Sequence, residues 1–274
     1  MRTLLLFVFR LSSFVALLIS CLFVLVGCSG TGGTSTSQPQ GEVVVFAASS
    51  LQDAFGEIAK SVGDKVTYSF GGSQALATQL SQGAKADVFA SADLKNMQAA
   101  ISAGVISSRT GQTLATNRLV VVTAPGSTKV STLADLAKPG LKLVLADKSV
   151  PAGNYSLQAL DKLAADPAYG KEFKDKALAN VVSYENNVRQ VLAKVQLGEA
   201  DAGIVYTTDA KAAKGQVGTI DLPDPYNVLA TYYIARMKDA PHPQAAERFV
   251  QFVLSDAGQK VLQNYGFGPP GANP

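Results

Sequence analysis

The chain has 274 residues, 47% of them apolar and only 16% charged, with 24 basic side chains against 21 acidic ones. Globular proteins carry about 25% charged residues, so this chain is charge-poor, and it lacks the basic surplus of a nucleic-acid binder. Its two cysteines, Cys21 and Cys28, stand near the start, and its one histidine is His242. Those counts exclude a disulfide framework and a zinc site built from Cys and His ligands.

Arg2 and Arg10 are the only charges among the first 40 residues. Residues 11–26 follow as a mainly apolar run, shorter than the roughly 20 residues of a membrane-spanning helix. The run ends in Leu25-Val26-Gly27-Cys28, which resembles the lipobox of bacterial lipoproteins. There a peptidase cuts before the cysteine and diacylglycerol is attached to its sulfur. The resemblance implies a signal peptide over 1–27 and lipidation of Cys28; an uncleaved membrane anchor is the alternative. Residues 29–41 (SGTGGTSTSQPQG) hold no charge and no large apolar side chain, so 28–41 reads as an acylated cysteine with a flexible tether. Losing 1–27 removes two basic residues and no acidic one, leaving the rest within one charge of neutral.

About 230 residues remain, enough for one large domain or two of ordinary size. Residues 43–47 (VVVFA) form a β-branched run of the buried-strand type, and 50–62 has helical spacing with Leu51, Ala54, Phe55, Ile58, Ala59 and Val62 on one face. The pattern then predicts a strand over 66–70, a helix over 73–82, a strand over 87–90 and a helix over 94–103. Strands follow at 119–124 and 143–146, with a helix over 154–165. A strand at 181–183, a helix over 188–197 and a strand at 203–206 continue the alternation. A long strand at 228–235 precedes one or two helices over 244–265. Strands alternating with helices of this length predict an α/β fold with mostly parallel sheets.

In such sheets ligands sit beyond the carboxyl ends of the strands, where helices begin and unsatisfied N–H groups favour anions. Four turns are rich in small or hydroxyl residues: 47–51 (AASSL), 70–74 (FGGSQ), 150–153 (VPAG) and 185–189 (ENNVR). Ser50 with Asp53 reads as a capping box, and Ser50 and Ser73 also read as plain N-caps. Arg189 reads more simply as a solvated helix-face residue than as a group at the cleft mouth. Tyr232 and Tyr233 read as core and hinge packing, His242 as exposed in a proline-bounded loop, and Lys171, Lys174 and Lys176 as a solvated face.

Taken together, VFAASSL (45–51), FGGSQALATQL (70–80), ADVFASAD (86–93), VPAGNY (150–155), ENNVRQVLAKVQLGEADAGIVYTTDA (185–210) and NYGF (264–267) resemble the bacterial periplasmic molybdate-binding proteins. The resemblance covers 42–268 in the family's order. It implies a type II periplasmic-binding-protein fold, with two α/β lobes joined by a hinge of crossing strands and an oxyanion in the cleft. Lobe 1 would comprise 42–116 plus 229–274, and lobe 2 would comprise 117–228. The ligand contacts it implies fall on Ser50 and Ser73 through hydroxyl and backbone N–H, on Ala152 and Val188 through backbone N–H, and on Tyr206 through its phenol. The family's second turn often holds more serines, where this chain has Gly71 and Gly72, so an auxiliary hydroxyl contact is not expected there.

All five positions are donors; none is a cation or a carboxylate. A proton-bearing anion such as hydrogen phosphate finds no acceptor in such a set, and an unmatched buried donor costs about 1–3 kcal/mol. The expected ligand is therefore a fully deprotonated tetrahedral oxyanion, molybdate or tungstate by the resemblance, with sulfate as the alternative. No cofactor and no directly coordinated metal are expected. The resemblance further implies a monomeric receptor in the cell envelope, tethered through Cys28, that delivers its ligand to an ABC transporter permease with a cytoplasmic ATPase. A serine hydrolase using Ser50, Ser73 or Ser156 is the competing class, but no G-x-S-x-G elbow occurs and His242 is the only histidine base available.

Overall fold

The computed structural model describes residues 41–109 and 111–271. The expected signal peptide, Cys28 and the tether up to residue 40 lie outside the described residues. In chain order the elements are β1 (Glu42–Ala48), a 3-10 turn (Ser49–Leu51), α1 (Gln52–Ile58), β2 (Lys65–Gly71), α2 (Ser73–Ser81), β3 (Val88–Ser91), α3 (Leu94–Ser102) and β4 (Gln112–Asn117). Next come β5 (Leu119–Thr123), a second 3-10 turn (Leu133–Ala137), β6 (Leu143–Ala146), α4 (Pro151–Ala165), α5 (Phe173–Ala179) and β7 (Val181–Glu185). They are followed by α6 (Val188–Gln196), β8 (Ala202–Tyr206), α7 (Thr207–Ala212), β9 (Gly218–Asp221), β10 (Ala230–Arg236), α8 (Pro243–Leu254) and α9 (Asp256–Asn264).

The strands form two five-stranded sheets, ordered β2-β1-β3-β10-β4 and β7-β6-β8-β5-β9. In the first, β1 pairs in parallel with β2 and β3, while β10 runs antiparallel to β3 and β4. In the second, β6 pairs in parallel with β7 and β8, while β5 runs antiparallel to β8 and β9. The sheets are thus mixed rather than mostly parallel. The antiparallel pairings arise where the chain changes sheet: β5 is the first strand after the crossing and β10 the first after the return.

Alternation along the strands explains the two layers of core in the first sheet. Val43, Val45 and Ala47 of β1 and Val88 and Ala90 of β3 pack with Phe55, Ile58 and Phe249 on one face. Phe46 and Phe89 point the other way, onto Leu76, Leu80 and Met97. In the second sheet α4 and α6 both pack against β6, β8 and β5. All five residues of β5 are buried accordingly. Asn227 staples the two sheet-changing segments. Its carboxamide accepts from the Leu119 N–H (2.9 Å) and donates to the Leu119 and Leu222 carbonyls (2.9 Å each).

Some bounds differ from the sequence reading. The helix expected over 154–165 begins at Pro151, because a proline at the first helical position forfeits no hydrogen bond and its φ is already helical. The helix expected over 50–62 is a 3-10 turn followed by α1, and the chain leaves it for a left-handed turn at Gly63 (φ 82°). The terminal segment divides into α8 and α9 at Ser255, whose hydroxyl accepts from the Gly258 N–H.

Candidate ligand-binding site

One pocket is lined by Ala48, Ser49, Ser50, Gly71, Gly72, Ser73, Ala92, Val150, Pro151, Ala152, Val188 and Tyr206. These residues stand where β1, β2, β3 and β8 end and where α2, α4 and α6 begin. The structure therefore brings Ser50, Ser73, Ala152, Val188 and Tyr206 together, two from the turns of the first sheet and three from those of the second. No lining residue carries a formal charge.

The first-sheet wall presents hydroxyls. Neither serine caps a helix: Ala48 precedes the 3-10 turn, Leu51 is the N-cap of α1, and Gly72 is the N-cap of α2 without a side-chain bond. The capping-box and N-cap readings of Ser50 and Ser73 are thus replaced. The buried Ser73 Oγ instead accepts the Ala92 N–H at 3.0 Å, which leaves its own hydrogen to be given elsewhere. The Ser50 Oγ lies 2.8 Å from the Tyr232 Oη.

The second-sheet wall presents amides and one phenol. Pro151 starts α4 after Val150, which makes no side-chain cap, so the Ala152 N–H belongs to an uncapped first turn. Val188 is the first residue of α6; Asn187 before it accepts the Gln190 N–H at 3.1 Å, farther along the same turn. Close packing sets the α4 turn: a Cβ on Gly153 would stand 2.1 Å from the Asp147 carbonyl oxygen. Tyr206 is 1% exposed, and its Oη makes no hydrogen bond among the described residues. Burial holds the Tyr206 pKa well above the usual tyrosine value, so the phenol keeps its proton and remains a donor.

The two walls also touch one another. The Arg189 Nη2, on α6, donates to Asp53 Oδ2 of α1 at 2.5 Å, and its Nε lies 2.7 Å from Asp209 Oδ1. Arg189 is therefore an ion-paired bridge between the walls, which corrects its reading as a solvated helix-face residue. Asp53, expected in a capping box, is the partner. Asp209 is fully buried, and burial lifts its pKa to about 6 against the pull of Arg189. The Gln74 Nε2 donates to the Asn186 carbonyl at 3.1 Å, and a Cβ on Gly72 would stand 2.4 Å from that same oxygen. The closeness of the other wall is why a glycine stands at 72, where a serine does not fit.

His242 is not merely exposed. Its Nδ1 lies 3.0 Å from Oδ2 of the buried Asp87, and its backbone N–H donates to Asp87 Oδ1 at 2.6 Å. Asp87 precedes β3 and the pocket-lining Ala92 follows it, so His242 is held at the opposite end of that strand from the pocket. Ser156 Oγ donates to the Ala152 carbonyl at 2.7 Å. The chain's one histidine thus serves neither Ser50, Ser73 nor Ser156 as a base. Lys174 and Lys176 pair with Asp161 and Glu172 on the surface. Sequence reasoning assigned Tyr232 to packing and left out Asn117; Tyr232 lies directly behind Ser50 and Asn117 behind Tyr232, and a polar tip on a buried strand residue is the signal that marks Tyr232.

Residues 43–268 match the model of the bacterial extracellular solute-binding protein family. The chain is 38% identical over 265 residues to the molybdate-binding protein ModA of Mycobacterium tuberculosis, covering 92% of this chain and 97% of that one. It is 34% identical over 266 residues to YvgL of Bacillus subtilis, named as a candidate ABC transporter substrate-binding lipoprotein, with 94% and 98% covered. Among solved structures, the periplasmic molybdate-binding protein of Azotobacter vinelandii superposes with a TM-score of 0.72 at 23% identity, over 83% of this chain and 99% of that one. That likeness carries the two-lobed binding-protein fold. With a matching model across nearly all described residues and relatives of this identity and coverage, the chain belongs to the bacterial extracellular solute-binding proteins.

Proposed function

We propose that this chain is the extracytoplasmic receptor of an ABC transporter, capturing molybdate, and also tungstate, in the pocket and handing it to a permease driven by a cytoplasmic ATPase. The observation that carries this reading is the chemistry of the lining. Ser50, Ser73 and Tyr206 offer hydroxyl hydrogens, Ala152 and Val188 offer amides at helix starts, and no lining residue is charged. The buried Tyr206 Oη has no partner among the described residues, and such a group costs about 1–3 kcal/mol until a ligand accepts its hydrogen. A dianion held by dipoles and helix ends needs no cation, and a set without a carboxylate acceptor disfavours a ligand that carries a proton. The relatives named for molybdate agree with this chemistry.

In this reading lobe 1 comprises 42–116 with 229–274 and lobe 2 comprises 117–228, and closing them assembles the donors. The protein acts as a monomer in the cell envelope, tethered through lipid on Cys28, in keeping with the lipoprotein name of YvgL. A thermal melt tests the reading. Molybdate at a hundredfold excess over its Kd stabilises the native state by about 2.7 kcal/mol, raising Tm by about 5–10 °C for a chain of this size. An unchanged Tm with micromolar molybdate or tungstate contradicts it.

A further inference from the structure

Behind the pocket a buried chain of side chains runs from the sheet crossing to Ser50, and its direction can be assigned. The Asn117 Oδ1 accepts the Arg118 N–H at 2.9 Å and the Thr207 hydroxyl at 3.0 Å. A backbone N–H only donates, so the Asn117 carboxamide is fixed with Nδ2 on the other side. That Nδ2 donates to Thr208 Oγ1 at 2.8 Å and to the Tyr232 Oη at 3.4 Å. Tyr232 is fully buried, and its remaining hydrogen-bond neighbour is the Ser50 Oγ at 2.8 Å. With an N–H already directed at its oxygen, the phenol gives its hydrogen to Ser50. The Ser50 hydrogen is then left for the pocket.

We propose that Asn117 and Tyr232 are positioning residues that determine specificity: a one-way hydrogen-bond relay locks the Ser50 hydroxyl as a donor and so disfavours an oxyanion bearing a proton. The inference rests on the oxyanion-receptor reading and deepens it. Ser50 keeps a second lone pair, but to use it on hydrogen phosphate its own hydrogen would have to leave the ligand, and the Tyr232 Oη beside it already gives a hydrogen to Ser50 and takes one from Asn117. The same carboxamide holds Thr207 and Thr208, the residues directly after Tyr206. One side chain at the crossing thereby orders donors on both walls.

The test compares molybdate with hydrogen phosphate by calorimetry and competition, at mildly alkaline pH where both are dianions and one carries a proton. Asn117→Asp is nearly isosteric and replaces the donating Nδ2 by an acceptor. Tyr232 and Thr208 then donate to it, Ser50 donates to Tyr232, and a Ser50 lone pair faces the pocket. The preference for molybdate over hydrogen phosphate is expected to fall about tenfold or more, the equivalent of one hydrogen bond to a charged group. The added negative charge weakens both dianions alike and cancels in the ratio. Tyr232→Phe frees Ser50 to turn either way, so the ratio falls by a smaller factor, and this variant decides the matter if Asn117→Asp does not fold. An unchanged ratio in the folded variants, with wild type binding molybdate, overturns the relay alone. Wild type that binds neither anion overturns the receptor reading and the relay with it.

Discussion

The two walls of the pocket offer the same chemistry by different means. On the first-sheet wall the donors are serine hydroxyls, each with a partner behind it: the Ala92 N–H behind Ser73 and the Tyr232 phenol behind Ser50. On the second-sheet wall two donors are backbone amides at the starts of α4 and α6, and the third, Tyr206, has no partner among the described residues. Each serine oxygen of the first wall therefore has a partner before a ligand arrives, whereas the Tyr206 phenol of the second has none among the described residues. Substitutions on the first should reduce both stability and binding, and those on the second should separate the two quantities.

The largest effect is expected where backbone placement itself is disturbed. Gly153→Ala puts a methyl 2.1 Å from the Asp147 oxygen and 2.4 Å from the Ala146 oxygen, so the first turn of α4 must move. Overpacking of this kind should reduce unfolding free energy by about 3 kcal/mol, read from a urea titration, with molybdate affinity falling as well. Next comes the buried carboxylate behind Tyr206. Asp209 accepts the Tyr206 N–H at 3.2 Å and has its pKa raised from 3.8 to about 6 by burial. The folded state binds the proton more tightly than the unfolded one, so this contribution is fully present below about pH 4 and lost as pH rises through 6. Wild type should lose on the order of 2 kcal/mol relative to Asp209→Asn across that window, and parallel stability profiles would remove Asp209 as the cause.

The central contrast is tested by a matched pair. Tyr206→Phe should weaken molybdate binding by about 2 kcal/mol while leaving the ligand-free protein as stable as before or slightly more so, because an orphan buried hydroxyl is gone. Ser73→Ala should lose about 1–2 kcal/mol of binding and about 1 kcal/mol of ligand-free stability, because the Ala92 N–H loses its acceptor. Equal stability changes in the two variants would erase the distinction between the walls. The smallest effect is expected at Asp53→Asn. Its pair with Arg189 is partly exposed, and Arg189 keeps Asp209, so affinity should fall by less than about 1 kcal/mol and the difference should shrink in high salt.

Much of the framework is legible in the sequence because strongly apolar runs of short length, such as 43–47 and 119–123, admit few readings. The five pocket positions are legible for a related reason: each lies in a turn of small or hydroxyl residues between a strand and a helix. β4 is missed because QTLATN holds little beyond Leu114 and Ala115 to mark a buried strand, and β9 because GTID is a short edge. The partners behind the site depend on the fold. Arg189 and Asp53 are 136 residues apart, Ser50 and Tyr232 are 182 apart, and His242 and Asp87 are 155 apart. Local pattern assigns Arg189 and His242 to solvent because it holds no record of the carboxylates that meet them. It reads Ser50 as a cap because serine is a common cap, whereas the chain enters α1 through a 3-10 turn.

The claim that a donor-only pocket holds a fully deprotonated dianion is tested most directly by calorimetric titration of the purified protein with molybdate, tungstate, sulfate and hydrogen phosphate under one buffer. The account predicts one-to-one binding of molybdate and tungstate, with hydrogen phosphate weaker than molybdate by about a hundredfold, as expected for one unmatched buried hydrogen. Hydrogen phosphate binding as tightly as molybdate would contradict it.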